Sequence, residues 1–287
     1  MRETFGLAGS DALSTDGVEG TGLGDGGRTS ANAMSRMADV VDLPENLRDG
    51  LTEATGGNRL MAYFWLAAAV SLVLPRLPYG RQILYPFALL GTWAHEMGHG
   101  LFAILVGGSF DRLVIYQNLG GTAYSSGVGN IGRALVAAGG LLGPALAGGV
   151  VIVLGSREST ARWVLAGLAL LLALSLVLFV RNLFGWVSLT VIAAVLGVLA
   201  FYGPEVARVL VAQLIGIQFC LASWGTLDYM FTRDFVRDGR VIDSDTQEIA
   251  DVLLLPYWFW GGLIAAMSLA IMASSFYVAW VQPYRSS

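Results

Sequence analysis

The sequence predicts an all-α polytopic membrane protein of about six to seven transmembrane helices, with a short β-hairpin after the second span. Hydrophobic residues make up 55% of the 287-residue chain and charged residues only 13%, with a mean hydropathy of +0.63, a balance that no ordinary soluble domain of this length needs. Apolar runs of about 20 residues, enough to cross a hydrocarbon core, recur from residue 60 onwards. After the second run the pattern changes to Gly-bounded alternation, the mark of a hairpin.

Residues 1–58 carry ten acidic and four basic residues among many Gly and Ser, with no apolar run beside a basic flank. They read as a flexible polar tail and not a signal peptide, with Met34 and Met37 as alternative starts. Residues 59–287 are expected to form one membrane-embedded domain. Its helices are expected near 60–76, 83–106, 131–155, 161–180, 183–202, 205–231 and 256–281, the first being the shortest. Trp163, Trp186, Trp258 and Trp280 fall near span ends, where an interfacial aromatic belt sits.

Between the second and third spans, Gly107-Gly108 leads into the hairpin segment, Phe110 to Tyr124. Leu113, Ile115 and Tyr116 precede Gly120-Gly121, and Thr122, Ala123 and Tyr124 follow it. Such a hairpin, if it dips beside the second span, offers an edge to which an extended substrate can add as a strand. Gly127-Val128-Gly129-Asn130-Ile131-Gly132 matches G-x-G-x-x-G, but no acidic residue follows near the required ~20 positions and no parallel βαβ unit is available. It reads as a loop entering the third helix, not a dinucleotide site.

Charge excludes some partners. All 17 basic residues are Arg and they are scattered, whereas a nucleic-acid surface would cluster them. With seven spans the Arg residues divide almost evenly between the two sides, Arg59 leaving a slight excess beside the tail, which points to a cytoplasmic N-terminus in a multi-pass cell-membrane protein. The lone Cys220 excludes an internal disulfide. Nothing in the sequence names an oligomeric state.

The chemistry sits in the second span. The chain has two His, and both fall in His95-Glu96-Met97-Gly98-His99. Chance would place the pair four apart with Glu after the first in roughly one shuffled sequence in 5,000, so the run is read as a site. Residues four apart share a helix face, so both imidazoles can reach one ion with Glu96 beside them. Two imidazoles and one further ligand leave a tetrahedral zinc with one open position, and Glu96 is placed to act as general base. With no third His, the last ligand must be Asp, Glu or Cys. Within the spans after Glu96 the acidic residues are Glu205 and Asp228, and depth selects Asp228, since the second and sixth helices run the same way and His99 and Asp228 both lie towards their C-terminal ends. Asp245 is the rival from the same side. Its spacing to Glu248 makes it an N-cap in a capping box, before a short helix that stops near Pro256. Asn182, in the turn Arg181-Asn182-Leu183-Phe184-Gly185, is a candidate for hydrogen-bonding a substrate backbone.

These residues resemble the site-2-protease-type (M50B-like) intramembrane zinc metalloproteases. The likeness rests on His95-Glu96-Met97-Gly98-His99-Gly100 in a membrane helix, Val106-Gly107-Gly108 before a hairpin, Gly139-Gly140-Leu141-Leu142-Gly143-Pro144, Asn182-Leu183-Phe184-Gly185, and Ser244-Asp245 before a helix. It spans roughly residues 83–262, most specifically at the first motif. It implies zinc, cleavage of transmembrane or membrane-proximal segments of membrane-protein substrates, and ligand, base and ligand roles for His95, Glu96 and His99. Better-known members take the third ligand from an Asp-Gly motif in a late membrane helix. Here Asp228 is followed by Tyr229, and Asp238-Gly239 lies in a charged loop. The alternative is a non-proteolytic metal-binding membrane scaffold or transporter, although no inverted repeat supports transport.

Overall fold

The computed structural model describes residues 60–225, 231, 234–237 and 240–282. The tail, Asp228 and Asp238-Gly239 lie outside the described residues. The membrane helices are α1 (Leu60–Arg76, closing in a 3₁₀ turn), α2 (Gly80–Leu105), α3 (Asn130–Leu154), α4 (Glu158–Leu178), α5 (Leu183–Tyr202), α6 (Glu205–Gly225) and α8 (Tyr257–Phe276). A short helix, α7 (Asp245–Leu253), precedes α8. Five of these helices, α3, α4, α5, α6 and α8 with its continuation to Val281, are both long and apolar enough to cross a membrane. With the shorter α1 and the more polar 26-residue α2 they supply the expected polytopic α-helical architecture.

Among the described residues two antiparallel hairpins interrupt the helices. β1 (Ser109–Ile115) and β2 (Gly121–Ser126) form the one expected after the second span. The second hairpin, β3 (Asp234–Arg237) with β4 (Arg240–Asp243), falls where the sequence reading expects a charged loop; of the expected 205–231 span, α6 covers Glu205–Gly225, and residues 226–230 lie outside the described residues. The sequence does carry a signal for it: an Asp-Gly pair between two short strands favours a tight hairpin turn.

Helix α3 is the centre of the bundle. Of its apolar window 61% is buried, against 22% for α5, most of whose side chains are exposed at the surface of the bundle. Its glycines bring neighbouring backbones close: a Cβ on Gly98 of α2 would collide with the Gly139 carbonyl, and one on Gly148 would lie 2.6 Å from the Gly216 carbonyl of α6. Successive contacts fix direction. Gly98 meets Gly139 and Gly140, and Gly143 approaches Ala94, so α2 and α3 are antiparallel; Cys220 Sγ contacts the Ala145 carbonyl at 3.7 Å while Gln213 reaches Ile152, so α3 and α6 are antiparallel too. Helices α2 and α6 therefore run parallel, with Gly91 against Ala222.

The aromatic belt needs one correction. Trp163, Trp186 and Trp258 are exposed, but Trp280 is buried in a cluster with Phe64, Ala67, Ile152, Ile217 and Cys220. It fastens the end of α8 to α1 and does not face an interface.

Candidate metal site

Hairpin β1–β2 lies along α2. The Tyr85 hydroxyl donates to the Gln117 carbonyl at 2.8 Å and the Thr92 hydroxyl to the Leu119 carbonyl at 2.7 Å, so the hairpin tip is tied two turns apart on the helix. Phe110 packs on Gly100 and stacks on Phe179, with ring centroids 4.1 Å apart. On the outer edge of β1, Leu113 N–H donates to Phe179 and Leu113 C=O accepts from Arg181. Ile115 is matched there by one side chain: Asn182 Oδ1 accepts from its N–H at 3.2 Å and Asn182 Nδ2 donates to its C=O at 2.7 Å. The expectation that Asn182 binds substrate is corrected accordingly. Its carboxamide occupies a strand position and secures the hairpin.

Because Leu113 and Ile115 turn their backbone groups towards residues 179–182, their register partners Ala123 and Gly121 turn theirs to the far edge of β2. That edge borders a cavity of about 660 Å³, whose other walls come from α2 (Thr92, His95, Glu96, His99), α6 (Gln218, Leu221, Ala222) and the β4–α7 segment (Asp243, Asp245, Glu248).

His95, His99 and Asp245 converge in the lining of this cavity. The two imidazole Nε2 atoms are 3.1 Å apart, and Asp245 Oδ2 is 3.4 Å from that of His95 and 3.5 Å from that of His99. Those separations fit zinc. Ligand atoms at about 2.0–2.2 Å from a tetrahedral ion are about 3.3–3.6 Å from one another, and slightly closer where the angle at the ion is compressed. The donors are also oriented. Val136 C=O can only accept, so the 2.9 Å contact makes His99 Nδ1 the protonated nitrogen and leaves Nε2 with its lone pair towards the site. Gly140, one turn further along α3, is required because a Cβ there would overlap the His99 ring.

Asp245 is therefore more than the expected helix cap. The N-cap of α7 is Ser244, whose hydroxyl accepts from Gln247 N–H at 3.2 Å, so the capping pattern begins one residue earlier and releases the Asp245 side chain towards the imidazoles. Burial opposes ionisation of Asp245, but the charge and hydrogen bonds of the imidazoles in their protonated form outweigh it and hold the carboxyl well below its ordinary range; a bound cation would supply the same positive partner once the Nε2 atoms are deprotonated. Burial, followed by the charge of Asp245, raises Glu248 above its ordinary value against the pull of His99 and Arg133.

Glu96 is 6% exposed and lies against β2, where a Cβ on Gly121 would come within 2.5 Å of its Cγ. Glycine at 121 thus lets the hairpin backbone approach the carboxylate. The structure brings His95, Glu96 and His99 together as their spacing implied. From the described residues it brings in Asp245, the rival third ligand of the sequence analysis, and adds Gln218, Asp243 and Glu248, which that analysis did not place in a site.

A family model described as Peptidase M50B-like matches residues 63–275. The chain belongs to that family. No curated protein and no solved structure matches it. Membership agrees with the multi-pass helical architecture and makes this a member of a membrane metalloprotease family. The M50B-like match also covers both the His95–His99 turn and Asp245.

Proposed function

We propose that this protein is a zinc endopeptidase that hydrolyses peptide bonds of transmembrane or membrane-proximal segments, with His95, His99 and Asp245 holding the metal and Glu96 as general base. The observation that carries this reading is the triangle of donors 3.1–3.5 Å apart, beside a carboxylate and a strand edge in one cavity. When bound, zinc supplies Lewis-acid activation of water and of the scissile carbonyl. Glu96 accepts the proton of the attacking water and delivers it to the leaving amine nitrogen. Asp245 and the two imidazoles would hold the metal, the carboxylate offsetting part of its charge, while Val136 keeps His99 in the tautomer that presents Nε2.

A transmembrane substrate has its backbone groups satisfied within its own helix, so it must unwind before it can be cut. The outer edge of β2 at Ala123 and Ser125 supports that step, because it offers replacement backbone hydrogen bonds along the cavity to an added strand. The same reading has membrane proteins and the lipid bilayer as partners and no nucleic acid. It places the chain in the cell membrane with a cytoplasmic N-terminus.

The test uses the purified chain in liposomes with a membrane-anchored reporter. Cleavage is expected, lost with 1,10-phenanthroline and recovered on adding zinc. Cleavage that persists in metal-stripped protein contradicts the reading.

A further inference from the structure

Two glutamines interrupt the apolar run of α6, and they behave differently. Gln213 is fully buried and its Nε2 donates to the Ile152 carbonyl at 3.1 Å, a contact that fastens α6 to α3. Gln218 is partly exposed, lines the cavity, and makes no hydrogen bond among the described residues. A carboxamide within a membrane helix is costly unless something in its cavity pairs with it.

Its level relative to the metal triad follows from the packing. Gly91 of α2 abuts Ala222 of α6, where a Cβ on the glycine would sit 3.2 Å from the alanine Cβ. His95 is one turn along α2 from Gly91. Gln218 is one turn along α6 from Ala222, in the opposite direction, because the two helices are parallel. The axial separation is roughly 12 Å, which an extended chain covers in three to four residues.

The fold already contains an example of what a carboxamide does beside a strand. Asn182 satisfies both backbone groups of Ile115 on the β1 edge, donor to carbonyl and acceptor to N–H. Resting on the protease reading for what enters the cavity, we propose that Gln218 is a substrate subsite of the same kind. Its carboxamide pairs with the N–H and C=O of one residue of an extended substrate segment that continues from the β2 edge past Gly121, at the level of the Leu119–Gly120 turn, three to four residues from the bond to be cut. This subsite reads backbone conformation and not side-chain identity, so it selects segments able to unwind at that point.

The test measures binding without turnover. The zinc-loaded full-length Glu96→Gln protein in phosphatidylcholine–phosphatidylglycerol nanodiscs is titrated with a fluorescent single-span peptide of Leu and Ala carrying a central Gly-Pro pair. Gln218→Met in that background is expected to weaken binding about 5- to 10-fold, the scale of one or two hydrogen bonds, with zinc content and thermal midpoint unchanged. Gln218→Asn, one methylene shorter, is the second variant and is expected to lose the same pairing. Lactic acid is then substituted for each Ala in turn, which removes one peptide N–H. At one position the penalty should be seen with Gln218 and vanish with Gln218→Met. Equal affinity with Gln218 and with Gln218→Met, identical ester penalties in both, or no saturable binding would overturn the subsite. Cleavage of the same peptide by protein retaining Glu96 tests the protease reading separately. A peptide held through Gln218 but never cut overturns that reading alone, whereas one cut and bound equally well after Gln218→Met overturns the subsite alone.

Discussion

Asp245→Ala is expected to lower zinc affinity by at least about 10²-fold and to abolish reporter cleavage, because it removes one of three charged or lone-pair donors that meet 3.1–3.5 Å apart. Competitive titration against a zinc chelator reads the affinity directly. Ser244→Ala is the control for the helix start, since it removes the cap of α7 while leaving the carboxylate and should cost about 1 kcal/mol of stability with little change in zinc affinity. Asp228→Ala is expected to keep wild-type zinc affinity. Loss of zinc from Asp228→Ala with retention in Asp245→Ala would transfer the ligand role.

Glu96→Gln separates catalysis from metal binding. The amide keeps the size of the side chain beside Gly121 but cannot accept a proton at neutral pH. Zinc content and fold should persist while cleavage falls by about 10²-fold or more. Both quantities are to be measured on the same wild-type and variant preparations. Unchanged cleavage by the zinc-loaded variant would remove Glu96 from the mechanism. A wild-type protein that cuts no reporter, with its cellular role intact in Glu96→Gln, would favour a metal-dependent scaffold or transporter.

The local features of the fold were legible in the sequence because they depend on neighbouring residues. Apolar runs set the helices, Gly-bounded alternation set the first hairpin, and the four-residue spacing of His95 and His99 put two imidazoles on one face of α2. The third donor depends on tertiary approach. Asp245 stands 146 residues after His99 in a pattern that also reads as a helix cap, and only the choice of Ser244 as cap frees it. The Ser244-Asp245 pair was the available signal, because a Ser beside an Asp can take the cap and leave the carboxylate to another task. Asn182 and Trp280 misled for the same reason. The type of residue suggested a substrate contact and a membrane interface, whereas the partners that engage them, Ile115 and the Phe64 cluster, come from distant parts of the chain. Gln218 could be seen as a polar residue in a span, but the hairpin turn that shares its cavity, Leu119 and Gly120, enters only through the docking of the hairpin on Tyr85 and Thr92.

The most direct test of the metal site is zinc-edge X-ray absorption on the purified full-length protein, with metal content measured on the same sample. About one zinc per chain is expected, with two imidazole nitrogens and oxygen donors at about 2.0–2.2 Å, and with one oxygen donor lost in Asp245→Ala. Failure to hold zinc, or a wild-type shell that Asp245→Ala leaves unchanged, would contradict a metal centre built from His95, His99 and Asp245.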